Sequence, residues 1–280
     1  MNEKNKTEKG TLYLVGTPIG NLSDMSERAI KILSEVDFIA AEDTRVTVKL
    51  LNHFNIKKEM LSYYEHNKNT KGNLIIERIL AGESCAVVSD AGMPAISDPG
   101  EDLVREARKA GIDIESVPGP SALITAISIS GFPCGRFCFE GFLSMNKISR
   151  RTHLESLKTE KRTMIFYEAP HKLPATLKDM LKYFGDREIA LVRELTKIHE
   201  TVLITTLEKA SEYYEENAPK GEFVLIIKGA DEKEEEYTLE DALKIAENLV
   251  KEGQSTSAAA KQAAEITGVK KGDIYKNIVK

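Results

Sequence analysis

The sequence predicts an α/β protein with a parallel-sheet domain, a second α/β domain with a mixed sheet, and a small C-terminal helical appendage. Up to residue 130, short apolar runs alternate with amphipathic segments, which is typical of a parallel sheet. After Gly131-Phe132-Pro133, predicted strands follow one another through short links, which favours a mixed sheet. Beyond an acidic run, the pattern is helical to the end.

The first domain is predicted to span residues 10–132. Its strands are short, apolar and bounded by turn residues, and they cover Thr11–Val15, Asp37–Ala41, Glu59–Tyr64, Ser84–Val88 and Ile112–Val117. Asp24 and Glu27 predict a capping box for a helix through Glu35, and Thr44 is the predicted cap of a helix through Leu51. The remaining helices are predicted over Thr70–Ala81, Glu101–Ala110 and Ala122–Ser130.

The second domain is predicted to span residues 133–230, and the appendage residues 237–280. Strands are expected over Phe137–Phe139, Thr163–Glu168, Glu188–Glu194, Thr201–Thr205 and Glu222–Lys228, with helices over Thr152–Leu157, Leu173–Tyr183 and Leu207–Glu216. In the appendage, helices are expected over Leu239–Val250, Ser257–Ile266 and Lys271–Val279. Their layout resembles a helix-turn-helix.

Composition excludes several classes of protein. The 280 residues contain 41% apolar residues, and no run approaches the roughly 20 that a membrane span requires. The polar segment Met1–Lys9 lacks the apolar stretch of a secretory signal, so a cytoplasmic protein is expected. The three cysteines have no zinc-binding spacing, which predicts reduced thiols and no metal.

Charge is distributed unevenly along the chain. The net charge is −5, yet Lys and Arg outnumber Asp and Glu between Asn146 and Lys172. Such a basic stretch is consistent with a phosphate-rich partner, because the local charge matters more than the total. The alternative interpretation is a solvated surface.

Three loops rich in glycine, alanine and proline follow predicted strands, at Val15–Asn21, Ser89–Gly100 and Val117–Ala122. Small residues leave backbone groups accessible, and the carboxyl ends of parallel strands are where ligands bind. Neither a G-x-G-x-x-G helix start nor a P-loop occurs, which disfavours dehydrogenases and P-loop enzymes. The loops therefore predict a cleft that binds a ligand through backbone groups; the alternative is ordered connections without a ligand.

A set of motifs in this order carries a family resemblance. The motifs are GTPIGN, AEDTR, SDAGMPAISDPG, PGPSA, FCFEGFL, FYEAPHK, RELTK and KGEFVLII, from Gly10 to about Lys228. The set resembles the tetrapyrrole-methylase superfamily and is most similar to the small-subunit ribosomal RNA 2′-O-methyltransferase I family. Met93 and Ala95 depart from its pattern, in which Thr and a larger aliphatic residue are expected, and His171-Lys172 replaces a His-Arg pair.

The resemblance implies a tetrapyrrole-methylase-like fold with S-adenosylmethionine between the two domains. It further implies 2′-O-methylation of a cytidine in the decoding region of 16S ribosomal RNA, with the small ribosomal subunit as partner, no membrane, and a homodimer. Two alternatives remain open, a precorrin or uroporphyrinogen methyltransferase of the same fold and a non-catalytic RNA-binding protein.

The resemblance also implies site residues. Those expected to bind the cofactor are Pro18, Asp90, Ala91, Gly92, Pro94, Ile96, Ser121, Ala122, Tyr167, Glu168, Leu195 and Gly221. Methyl transfer requires alignment of the reactants and removal of one proton, for which Asp43, Glu168 and Lys197 are the candidates. Arg45 is expected to hold a phosphate; the alternative is that Asp43 and Arg45 form a local ion pair, and the resemblance favours a position at the cleft.

Overall fold

The computed structural model describes residues 10–98, 100–231 and 237–278. The chain divides into two compact units, with the division between Ala230 and Asp231. The first unit contains two five-stranded sheets, and the second is helical. Among the helices of these ranges, none is long and apolar enough to cross a membrane.

The first sheet is entirely parallel, as predicted. Its strands lie in the order β3-β2-β4-β1-β5. Their bounds are β1 Thr11–Val15, β2 Phe38–Ala41, β3 Glu59–Ser62, β4 Cys85–Val88 and β5 Asp113–Val117. The helices are α1 Glu27–Glu35, α2 Thr44–His53, α3 Lys68–Leu80, α4 Gly100–Lys109 and α5 Ala122–Ile129. One face of the sheet packs against α1 and α2 and the other against α3 and α4.

Both predicted helix caps of this domain are wrong by one or two residues. Ser26, not Asp24, caps α1, because its extended backbone lets the hydroxyl accept a hydrogen bond from the Ala29 N–H. Asp43 caps α2 in the same way, and Thr44 is the first helical residue. The Asp43 side chain therefore stabilises the start of α2.

The second sheet is mixed, as predicted. It lies in the order β6-β7-β10-β8-β9, in which β6 and β7 are parallel and the other neighbours antiparallel. The strands are β6 Phe137–Phe142, β7 Thr163–Glu168, β8 Glu188–Arg193, β9 Thr201–Thr206 and β10 Phe223–Ile227. The helices α6 Lys147–Ser156, α7 Leu173–Phe184 and α8 Leu207–Glu216 bury apolar side chains against one face of this sheet.

Two predicted boundaries here are wrong. Helix α6 begins at Lys147 rather than at Thr152, because the Asn146 side chain accepts hydrogen bonds from the N–H groups of Ile148 and Ser149. Strand β6 continues to Phe142 through an irregularity between Phe139 and Gly141, which hides the strand period in the sequence.

Helix α5 joins the two sheets. It follows β5 of the first sheet, yet its buried residues Leu123, Ala126 and Ile127 pack against the second sheet, on the face opposite α6 to α8. The N-terminal end of α5 therefore lies where the loops of the first sheet meet the second sheet. The boundary at residues 132 and 133 stays a prediction.

The helical unit contains α9 Leu239–Lys251, α10 Thr256–Thr267 and α11 Lys271–Ile278. Its core is built largely from alanine, which lets the helices approach closely: Ala242, Ala246, Ala260, Ala263 and Ile274. Thr238 and Asp241 form a capping box at the start of α9. The predicted helix end at Val279 lies outside the described residues.

Candidate active site between the two sheets

The three small-residue loops meet at the carboxyl edge of the first sheet. Thr17 and Gly92 exchange two backbone hydrogen bonds, of 2.9 and 3.1 Å between N and O. Gly16 and Gly119 cross so closely that a Cβ on Gly16 would lie 2.7 Å from the Gly119 Cα. The Gly119 N–H also donates to the Met93 sulfur, 3.2 Å away. The loops after β1, β4 and β5 thus form one continuous wall.

A cavity of about 470 Å³ lies between this wall and the second sheet. That volume suits a small-molecule ligand. The lining includes these predicted residues: Asp90, Ala91, Gly92, Ile96, Ser121, Ala122, Tyr167, Glu168 and Leu195. Lining residues that the sequence did not single out as site residues include Ile19, Met93 and Asp98, which lie in the predicted cleft loops, and Glu42, Phe142 and Glu222, which lie outside them.

Six predicted site residues lie outside the lining, namely Pro18, Asp43, Arg45, Pro94, Lys197 and Gly221. Gly221 has a φ of +84°, and a Cβ there would lie 2.5 Å from the Glu194 side chain, so it supports the RELTK turn. Pro94 is buried. Both residues therefore shape the backbone of their loops without lining the cavity.

The loop after β4 is strained beside the cavity. Ala95 and Ser97 have φ values of +70° and +67°, which side chains of L-residues disfavour. The Asp98 carboxylate holds this geometry, because one of its oxygens accepts hydrogen bonds of 2.8 Å from the N–H groups of Ala95 and Gly100. Strain of this kind clusters at functional sites.

Asp43 and Arg45 form the ion pair that the sequence left open. The Arg45 Nη2 lies 2.6 Å from the Asp43 carboxylate, and the Arg45 side chain is 88% exposed. The hydrogen bonds from Arg45 lower the pKa of Asp43 to about 2, which makes this carboxylate a poor proton acceptor. The Asp43 N–H also donates to Asp90, which fixes the turn against the cavity wall.

Glu168 and Lys197 are engaged as well. The buried Glu168 carboxylate accepts hydrogen bonds from the Thr176 hydroxyl and the Ala169 N–H. Lys197 lies 2.9 Å from carboxylate oxygens of both Glu194 and Glu222. Burial opposes its charge, but these two hydrogen bonds raise the pKa of Lys197 above its ordinary value, so it keeps its proton.

Two aromatic rings flank the opening from the second sheet. The Tyr167 hydroxyl accepts a hydrogen bond from the Leu123 N–H, at the start of α5, where the cap residue Ser121 makes no side-chain bond. Phe142 lies 5.5 Å from Tyr167 between ring centroids and is 54% exposed. An exposed ring beside a cavity offers a stacking surface for a planar group.

Glu42, Asp90 and Asp98 give the cavity an acidic side. Burial chiefly, and neighbouring carboxylates, raise the pKa of Glu42, and burial likewise raises that of Asp90. Acidic groups beside an apolar wall of Ile19, Ala122 and Leu195 suit a ligand that carries positive charge and apolar surface. S-adenosylmethionine, a sulfonium with an ammonium group and an adenine ring, has this chemistry.

Comparison with known proteins shows the family. The profile of the Tetrapyrrole (Corrin/Porphyrin) Methylases matches residues 11–211. A protein of Halalkalibacterium halodurans named Ribosomal RNA small subunit methyltransferase I is 50% identical over 274 residues, 96% of this chain and 95% of that protein. A protein of the same name from Thermotoga maritima is 47% identical over 222 residues, which are 79% of this chain and 100% of that protein.

A solved structure shares the fold. The crystal structure of uroporphyrin-III C-methyltransferase from Thermus thermophilus, in complex with S-adenyl homocysteine, aligns with a TM-score of 0.55 at 19% identity. The alignment covers 78% of this chain and 97% of that one. The predicted fold of two sheet domains is therefore confirmed.

Replacing Ala95 by glycine tests the strain in the loop after β4. Relief of the left-handed conformation, worth about 1–2 kcal/mol, outweighs the added entropy of the unfolded chain, about 0.4–1 kcal/mol. We expect Ala95→Gly to raise the free energy of unfolding by up to about 1.6 kcal/mol in urea denaturation. The control Ala81→Gly, at a φ of −78°, should lower it; equal losses in both variants would show that the loop stores no strain.

Proposed function

From the membership of this chain in the tetrapyrrole methylases and, within them, in the ribosomal RNA small subunit methyltransferases I, we infer its reaction. We propose that it uses S-adenosylmethionine to methylate the 2′-hydroxyl of a cytidine in the decoding region of 16S ribosomal RNA. The observation that carries this proposal is the acidic and apolar cavity at the meeting of three small-residue loops. Its substrate implies work in the cytoplasm, on the small ribosomal subunit.

The cofactor would be held by residues from both sides of the cavity. The predicted binding residues that line it are Asp90, Ala91, Gly92, Ile96, Ser121, Ala122, Tyr167, Glu168 and Leu195, whereas Pro18, Pro94 and Gly221 would shape their loops. When bound, the sulfonium supplies an activated methyl group. The protein's contribution is to align the acceptor and to exclude competing water.

The acceptor would enter from the side of β2. In the first sheet β4 lies between β2 on one side and β1 and β5 on the other. The Glu42-Asp43-Thr44-Arg45 turn after β2 and the crossing of Gly16 with Gly119 therefore lie on opposite sides of the loop after β4. The exposed Arg45 guanidinium would contact a phosphate there. Asp43 would hold Arg45 in place, while Glu168 and Lys197 would stabilise the second-sheet side.

Methyl transfer to three acceptors tests the proposed function. The full-length protein is incubated with labelled S-adenosylmethionine and either small ribosomal subunits, naked 16S RNA or uroporphyrinogen. We expect label in the RNA of at least one ribosomal substrate, at a 2′-O-methylcytidine identified by mass spectrometry. Label in the tetrapyrrole alone would favour the macrocycle methyltransferase, and binding of RNA without any transfer would indicate a non-catalytic protein.

Cofactor binding is tested by stability. S-adenosylhomocysteine should stabilise the native state by about 2.7 kcal/mol at 100 times its Kd, measured by thermal unfolding. Gly92→Leu should abolish this gain, because Gly92 has a φ of +88° and lines the cavity. The control Gly131→Leu has a similar φ of +74° with no atom within 4 Å of its Cβ, so it should keep the gain. A wild-type protein indifferent to the ligand would refute the cofactor assignment.

We also propose that the protein is a homodimer through strand β9. This edge strand exposes Val202, Leu203 and Ile204 by 39–55% and contains no charged residue. Such an edge requires cover. A second copy pairs with it without repulsion between like charges, and the same patch then serves both subunits. Ile204 lies beside Ala190, on the face that packs against α5.

Ile204→Asp tests this interface. A carboxylate in the patch should shift the protein from dimer to monomer in sedimentation velocity, because burying an unpaired charge is costly. Leu80→Asp is the control, since Leu80 is 39% exposed at the end of α3 and outside the patch, and it should stay dimeric. A wild-type protein that sediments as a monomer at micromolar concentration would exclude the homodimer.

A further inference from the structure

The proposed reaction releases one proton from the acceptor hydroxyl, and the structure limits where that proton can go. Of the three residues named from the sequence, Asp43 is bound to Arg45 with a pKa of about 2, and Lys197 holds its proton between two carboxylates. The Glu168 carboxylate is buried and bonded to Thr176 and Ala169. In Asp43 and Glu168 both carboxylate oxygens already accept a hydrogen bond, and the Lys197 amine donates two.

Glu42 differs from all three. It follows the last residue of β2, lines the cavity and is partly buried. One of its carboxylate oxygens accepts a hydrogen bond of 3.3 Å from the Asp90 N–H, which fixes the side chain. Within the described part of the chain, no donor reaches the other oxygen, so it has lone pairs to offer a hydroxyl.

The surroundings of Glu42 make its carboxylate a stronger base than an exposed one. Burial contributes most, and Asp90, Asp98 and the adjacent Asp43 add repulsion, so its pKa lies above the ordinary value although the Asp90 N–H opposes the change. A general base is most effective when its pKa approaches the working pH. Its position beside β4, on the side of β2, is also the side proposed for the acceptor.

We propose that Glu42 is the proton acceptor of the methyl transfer, an inference that rests on the proposed function. The acceptor O–H bond breaks and its proton passes to the Glu42 carboxylate. The oxygen forms a bond to the methyl carbon while the carbon–sulfur bond breaks and leaves its electron pair on sulfur. The protonated Glu42 then releases its proton to water, so charge and atoms balance.

Glu42→Gln tests the inference, because it keeps the shape and the bond to Asp90 but removes the basic oxygen. We expect the single-turnover rate on small subunits to fall roughly 100-fold or more, with the affinities for S-adenosylhomocysteine and for the subunit retained. The matched control is Glu115→Gln, an exposed carboxylate on β5, which should keep the wild-type rate.

The pH dependence supplies a second readout. The wild-type rate should rise with pH until Glu42 is ionised and then level off, and Glu42→Gln should lack this rise. Because the raised pKa means that ionised Glu42 destabilises the fold, Glu42→Gln should be more stable than wild type at neutral pH. This difference should shrink as the pH falls through the raised pKa of Glu42 and vanish below the ordinary pKa of a glutamate, where wild-type Glu42 is protonated in both the folded and the unfolded state.

Three results would overturn the inference. A wild-type rate in Glu42→Gln would exclude Glu42, as would a wild-type dependence of the rate on pH in that variant. A selective loss of S-adenosylhomocysteine affinity in Glu42→Gln would place Glu42 against the cofactor instead. If the wild-type protein methylates no ribosomal substrate, the proposed function itself fails. That failure is seen in the wild-type protein, whereas failure of the Glu42 inference is seen only when an active wild-type protein is compared with its variants.

Discussion

The close crossing of Gly16 and Gly119 is the contact on which the site depends. Neither position has room for a Cβ, because the two backbones lie closer than any side chain permits. The crossing ties the loop after β1 to the loop after β5, and the bridge from Thr17 to Gly92 adds the loop after β4. With the three loops fixed, α5 begins at a defined place, and so does the wall of the cavity.

Much of this was readable from the sequence, and the exceptions have physical reasons. Strand and loop positions follow from local apolar runs and from glycine and proline, so both sheets were predicted correctly. Glu42 was missed because the sequence alone does not show which of the four consecutive polar residues Glu42 to Arg45 faces the cavity. The structure distinguishes them, since the Asp43 side chain caps α2 and Glu42 lines the cavity. The role of Glu168 depends on Thr176, a contact that only the packing of α7 against β7 creates.

Electrostatics at the site divide into two parts. The cavity is acidic, which suits a cationic cofactor and a basic carboxylate but repels a polyanion. Attraction for RNA therefore has to come from outside it. The exposed Arg45 stands beside the acidic side, and basic residues begin again in α6 with Lys147. An RNA phosphate backbone that contacts cations outside the cavity keeps its own charge away from the carboxylates that line it.

Helix α5 has a consequence for how the first unit melts. By chain connection it belongs to the first sheet, but its apolar residues complete the core of the second. Opening the second sheet, or pulling α5 away from it with the first, would expose Leu123, Ala126 and Ile127 to water, at about 25 cal/mol for each Å² of apolar surface. Any unfolding of the first sheet that moves α5 therefore also removes part of the core of the second sheet, and this shared helix couples the two sheets in unfolding.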